Sequence, residues 1–172
     1  SMLETCRRFY NDLLSERKDA YEQEQRSVSK TEQFRRVKGF KDTSPYAEGI
    51  HSHILQVVVA DVAKAFDAFF RRVKAGEKPG YPRFKARLRF DSIGLKEYGN
   101  GFTIDGRRLK ISGIGRIPVR WHRPFEGDIK TLRVVGKAGG WYASFCAEVE
   151  ANPLPETGEV VGVDVGVVAL LT

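Results

Sequence analysis

The chain has 172 residues, 41% hydrophobic and 30% charged, which describes a soluble globular protein with one sizeable core or two small ones. No apolar run approaches the roughly 20 residues of a membrane span, so no membrane partner is expected. The net charge is +7, which favours a polyanion over a small-molecule substrate, and its placement says more than its size.

Residues 1–80 are nearly balanced, with 15 Lys/Arg against 12 Asp/Glu, whereas residues 81–150 hold 14 against 7. Cys6 and Cys146 are far apart, and no CxxC or Cys/His set accompanies them. A reducing cytoplasm is therefore expected and a structural zinc site is not. Ser1-Met2 reads as a cloning remnant, and no signal peptide is expected.

In chain order, residues 3–26 read as one helix, with Leu3, Cys6, Tyr10, Leu13, Leu14 and Arg17 on a single face and Tyr21 extending it. Ser29 or Thr31 can cap a short helix running to about Lys38, and Gly39, Pro45 and Gly49 punctuate the connector that follows. Residues 52–75 carry the strongest helical pattern: Ile54, Val57, Val58, Asp61, Val62, Ala65, Phe66, Phe69 and Val73 trace a nearly unbroken apolar stripe ended by Gly76. Leu55, Val59 and Phe70 widen that stripe, so this helix is expected at the centre of a small bundle, touching two neighbours. The pair His51 and His53 suits solvated or capping roles better than metal ligation.

The stretch "RRVKAGEKPGYPRFKARLR", residues 71–89, sets eight basic residues against the one acid Glu77. Arg71, Arg72, Lys74, Lys78, Arg83, Lys85, Arg87 and Arg89 form either a solvated basic face or a phosphate-binding run. Tyr81 and Phe84 favour the second, because bases stack on rings while cations hold phosphates.

After this stretch the period changes to 2. Strands are expected at 88–95, 101–104, 108–111, 115–121, 128–136 and 141–150, separated by glycine turns. Six short strands with tight turns suggest a small closed barrel. The two prolines of "ANPLPETGE" mark a linker, and a last strand is expected at 159–165.

That strand, within "VVGVDVGVVALLT", wraps Asp164 in apolar residues with Gly162 and Gly166 to either side. An acid in a strand suited to burial is costly unless a cation compensates it, and at a cleft a divalent metal does so. The alternative is an acid capping a turn. Strand, acid, glycine, strand opens both ribonuclease-H-like nucleases and actin-like ATPases. A basic β-rich segment ahead of the acid suits nucleic-acid cleavage better than ATP hydrolysis.

The segments "AKAFDAFFRRVKAGEKPGYPRFK", "LKISGIGRIPVRWHRPFEGDIKTLRVV", "GGWYASFCAEVE" and "GVDVG" occur in the order and spacing seen in TnpB, also called OrfB. Over almost its whole length the chain resembles these RNA-guided nucleases of small insertion sequences, associated with DNA transposition. The resemblance implies an α+β chain in three parts: a recognition-type helical bundle over 3–78, an antiparallel OB-like wedge barrel over 79–151, and a linker with the first strands of a ribonuclease-H-like (RuvC) domain over 152–172. It makes guide RNA and double-stranded target DNA the partners.

It also makes Asp164 the first catalytic acid, a ligand of Mg²⁺ in a two-metal site. Gln56 falls where the family reads a short motif beside the target, and Ser92 and Gly94 lie in the stretch that assists. A Gln reading adenine is chemically sensible, although a solvated helix residue is the plain alternative. Arg83, Lys85, Arg87 and Arg89 match a segment lying on guide or target phosphates.

The chain departs from the family pattern in lacking a first wedge strand and the later acids. An open sheet edge is therefore expected, free to pair with another chain or with residues 167–172. With one carboxylate for two metals, no cleavage is expected from this chain alone. A nuclease-deficient TnpB-like DNA-binding regulator is the alternative from a different class.

Overall fold

The computed structural model describes residues 1–122 and 124–150. Among these, three helices precede six strands: α1 (Met2–Glu24), α2 (Lys30–Thr43) and α3 (Ser52–Lys74), a 3₁₀ turn at Arg87–Arg89, then β1 (Ser92–Lys96), β2 (Phe102–Asp105), β3 (Arg108–Ile111), β4 (Gly115–Pro118), β5 (Asp128–Lys137) and β6 (Gly140–Glu148). This is an α+β arrangement, and the helices fall where the 3.6 periodicity places them.

The start of α2 follows from a capping box. The Ser29 hydroxyl accepts from the Glu32 amide at 3.2 Å, while the Glu32 carboxylate accepts from the Ser29 amide at 2.7 Å. Helix α2 runs on through Gly39 to Thr43, past the expected stop, because one glycine costs a helix only about 1 kcal/mol and Phe40 supplies a stacked partner for Phe9 at 4.3 Å. Gln33 locks α2 onto α1. It is fully buried, yet it donates to the Leu13 carbonyl (2.8 Å) and the Glu16 carboxylate (3.0 Å) and accepts from Arg17 (2.8 Å).

Helix α3 packs on α1, α2 and β1, one neighbour more than its stripe suggests. Ile54, Val58, Val62 and Phe66 of its stripe are buried and Val57 and Ala65 half-buried, but Phe70 and Val73 are exposed. One apolar cluster runs from Cys6, Leu13 and Leu14 through Ile54, Val59 and Val62 to Leu95, Phe102, Leu109 and Leu132, so helices and sheets share a core.

The strands do not close into a barrel. They form two antiparallel sheets, ordered β1-β5-β6 and β2-β3-β4 among the described residues. The break lies at Glu97, whose φ of 64° turns the chain out of β1. A single Tyr98–Phe102 bridge then leads into β2, which starts the second sheet. The strand expected from residue 88 begins only at Ser92, since Arg87–Arg89 curls into the 3₁₀ turn. Strand β6 alternates as its sequence requires, with Ala143, Phe145 and Ala147 inward and Ser144, Cys146 and Glu148 exposed. A groove of about 1430 Å³ opens between the sheets, lined by Trp121, Phe125, Trp141 and Phe145 among others.

His51 caps α3, its Nδ1 accepting from the His53 amide at 3.3 Å. His53 is not solvated: it is 8% exposed, its Nδ1 lies 2.9 Å from the Lys96 carbonyl, and its Nε2 lies 3.4 Å from Glu97. Burial and the neighbouring His53 hold the His51 imidazole below its ordinary value. Among the described residues no helix is long and apolar enough to cross a membrane.

Candidate nucleic-acid interface

Residues 79–89 form a strap laid along the helices, and its backbone rather than its cations does the anchoring. Gly76, with φ +69°, ends α3 in the left-handed region that glycine adopts without cost. Arg72 then reaches forward: its Nε donates to the Pro79 carbonyl at 2.6 Å and its Nη2 to the Gly80 carbonyl at 3.3 Å. Tyr81 sets its ring edge-on against Phe66 (5.7 Å) and Phe69 (5.4 Å).

Four residues on, Asn11 of α1 clasps Lys85 from both sides. The Asn11 side-chain carbonyl accepts from the Lys85 amide at 2.8 Å, and its NH₂ donates to the Lys85 carbonyl at 3.1 Å. Arg7 donates to the same carbonyl at 2.9 Å and is itself held by Glu4. The Arg7 and Arg8 guanidiniums hold the Glu4 carboxyl down at about 2.

With the backbone tied down, the side chains from Arg83 to Arg89 are exposed, the Lys85 ammonium lying 5.9 Å from the centre of the Tyr10 ring. Arg83, Lys85, Arg87 and Arg89 are all exposed, and none forms an ion pair among the described residues. Phe84 is 52% exposed and Leu88 94%. A strap of cations with apolar side chains interleaved, held from beneath, is a surface that can hold phosphates and stack bases.

Of the expected site residues, α3 carries Gln56 near its start and Arg71, Arg72 and Lys74 at its end. Gln56, Ala60, Lys64, Asp67, Arg71 and Lys74 follow three-and-four spacing on the side of α3 away from the core, where the last four are exposed. Arg71 and Lys74, exposed at the C-terminal end with Lys78 just beyond, adjoin the strap in sequence, whereas Arg72 is spent holding it. Gln56 lies fifteen residues earlier, about 22 Å along the axis at 1.5 Å per residue.

There α3 crosses β1. A Cβ on the buried Gly94 would lie 2.6 Å from Val57 Cγ1, so glycine is what lets the helix approach. Arg133 of β5 braces the crossing. Its Nη2 meets both Asp61 carboxylate oxygens (2.8 and 2.9 Å), and its Nη1 donates to the Ser92 hydroxyl at 3.3 Å. Gly94 is thus packed beneath the helix at Val57 and Ser92 is engaged by Arg133, while Gln56, one residue before Val57, is half-buried.

Sequence reasoning missed four contributors. Lys64 lies eight residues after Gln56 on the same face, and helical spacing could have found it. Arg7, Asn11 and Arg133 act across distances of 41 to 78 residues and leave no local signal. Asp164, within 151–172, lies outside the described residues, as does the expected pairing of residues 167–172. No cluster of three or more His, Cys, Asp or Glu fit for a metal occurs among the described residues.

No family model matches the chain. Over 170 residues, 95% of its length, it is 31% identical to a Streptomyces pristinaespiralis protein named "Putative RNA-guided DNA endonuclease". The matched region is 40% of that protein, so the chain spans about two-fifths of the curated relative it is similar to.

Proposed function

We propose that the chain is the nucleic-acid-binding part of a TnpB-type RNA-guided DNA endonuclease associated with movement of an insertion sequence. In this reading it holds guide RNA and double-stranded target DNA. The observation that carries it is the strap: residues 79–89 are fastened by backbone contacts to Arg7, Asn11 and Arg72, while Arg83, Lys85, Arg87 and Arg89 have no carboxylate partner among the described residues. A solvated face needs no such fastening. The name of the relative supports the same direction.

The strap and the Arg71–Lys74 end of α3 would hold phosphates, fixing position without reading sequence. Gln56, about 22 Å from Arg71 along α3, would meet a base edge, its amide suited to adenine, with Ser92 and Gly94 assisting. At 3.4 Å per base that distance spans about six steps, so one duplex can reach both.

In this reading Asp164 is the first carboxylate of a Mg²⁺ site, the ion supplying the activated water and charge neutralisation for strand cleavage. A two-metal site needs several carboxylates, of which Asp164 would be one.

The test is affinity for an RNA hairpin and for duplex DNA between about 50 and 200 mM salt, for the native chain and for the variant with Arg83, Lys85, Arg87 and Arg89 all replaced by Ala. Steep salt dependence is expected, and the variant should lose about 3 to 4 from the slope of log affinity against log salt at about 0.9 per phosphate contact, with the melting midpoint unchanged. A flat response, or a variant indistinguishable from the native chain, sinks the reading.

A further inference from the structure

His53 is one of three buried polar side chains among the described residues, and both of its ring nitrogens face acceptors. Nδ1 lies 2.9 Å from the Lys96 carbonyl and Nε2 lies 3.4 Å from the Glu97 carboxylate. A neutral imidazole carries one N–H, so in either tautomer one nitrogen sets a lone pair against an oxygen. The imidazolium, with a proton on each nitrogen, suits both. The contact is closed from the side as well: a Cβ on Gly101 would lie 2.9 Å from the Lys96 oxygen and 3.0 Å from Nδ1.

Lys96 ends β1, and Glu97, with φ +64°, turns the chain toward the second sheet. A residue other than glycine is strained in that region, so the turn persists only while its surroundings hold it. Backbone contacts hold it in part. The Glu97 amide donates to the Lys130 carbonyl at 3.1 Å, and the Glu97 carbonyl accepts from the amides of Asn100 (3.3 Å) and Gly101 (3.1 Å). His53 adds a grip from α3 on both residues of the turn.

We propose that His53 is a proton-operated latch at the joint between the two sheets. Charged, it ties α3 to Lys96 and Glu97; neutral, it keeps one of the two oxygens and loosens the β2-β3-β4 sheet. The Glu97 carboxylate favours the charged ring, and Lys96 meets it through its carbonyl. The His51 ring, edge-on at 4.7 Å, and Lys41 of α2 are the other titratable groups beside it. His51 works with the opposite sign. Its Nδ1 accepts from the His53 amide to cap α3, so a proton there removes a contact, whereas at His53 it completes one. The latch is therefore closed at acid pH and opens as pH rises between about 5.5 and 8. It does not depend on the proposed function.

Amide hydrogen exchange of the full chain at pH 5.5 and pH 8, read as protection factors, tests the latch. The Gly99 and Gly101 amides, bonded to the Phe102 and Glu97 carbonyls, lie within the joint. In the native chain they should lose about tenfold in protection at pH 8, relative to amides of the β5–β6 pair that report global opening. His53→Gln stays polar but cannot be charged, and should show no such drop. Glu97→Gln keeps the imidazole and removes the carboxylate, so its drop should be smaller than the native one; it decides the matter if His53→Gln does not fold. His51→Asn, which supplies a cap without a titrating ring, should keep the native drop. No drop in the native chain, a drop of native size in His53→Gln or Glu97→Gln, or its loss in His51→Asn overturns the proposal.

Discussion

Replacing Gly94 by alanine puts a methyl group 2.6 Å from Val57 Cγ1 and 3.5 Å from the Arg133 guanidinium. Carbon atoms rest comfortably at about 3.5 to 4.0 Å, so roughly 1 Å must be found at the place where α3 lies on β1. Val57 cannot supply it easily, because a β-branched side chain in a helix holds essentially one χ1. Forcing it off that rotamer costs about 0.5–1.5 kcal/mol, and moving the helix instead disturbs the Asp61–Arg133–Ser92 brace. Overpacking of this kind costs about 1–3 kcal/mol, so about 2 kcal/mol is expected for Gly94→Ala. With a urea m-value of about 2 kcal/mol/M, the midpoint should fall by about 1 M. Adding Val57→Ala removes the obstructing methyl, so the double variant should be at least about 1 kcal/mol more stable than the sum of the singles. Urea titration of all four proteins measures this. A Gly94→Ala midpoint matching the native one, or simple additivity, refutes the argument that glycine is there for close approach.

Burial pushes the Cys6 thiol up to about 12, while Cys146 is exposed, so a thiol reagent at pH 8 should modify one cysteine natively and both after denaturation. Equal native reactivity would contradict the packing of α1. Tyr81→Ala should weaken RNA and DNA binding several-fold, because the strap loses two edge-on aromatic contacts worth about 0.5–1.5 kcal/mol each, whereas Tyr81→Phe should bind normally; equal binding by both variants would mean the anchor is irrelevant. The Glu4 carboxyl sits at about 2, below its ordinary 4.5, so its contribution is complete above about pH 4.5 and is lost as pH falls toward 2. The stability difference between the native chain and Glu4→Gln should shrink over that window, and a gap independent of pH would show that the Arg7 clasp does not depend on the Glu4 charge.

Local pattern made the helices and most strands legible. The 3.6 spacing located α1 and α3 to within a residue or two, and glycine turns bracketed β2, β3 and β6. What failed was long-range. Alternation tells which side of a strand faces inward, but nothing local says that β1 pairs with β5 or that Glu97 ends the first sheet, so a closed barrel was expected where two sheets stand. The candidate site divides in the same way. Charge density exposed the run 71–89, and its interleaved aromatics pointed to a ligand. That Arg72 and Tyr81 serve as anchors, and that Asn11 and Arg7 hold the Lys85 backbone from more than seventy residues away, is not written in the run itself. Gly94 shows the limit most sharply. Its sequence neighbourhood suggested proximity to DNA, and its surroundings in the fold are Val57 and Arg133.

The most direct measurement is amide NMR of the chain at low salt as duplex DNA or an RNA hairpin is added. Perturbations gathered on residues 83–89 and along the exposed side of α3, fading together as salt is raised, are what the account predicts. Shifts confined to other surfaces, with the strap amides unmoved at saturation, would contradict it.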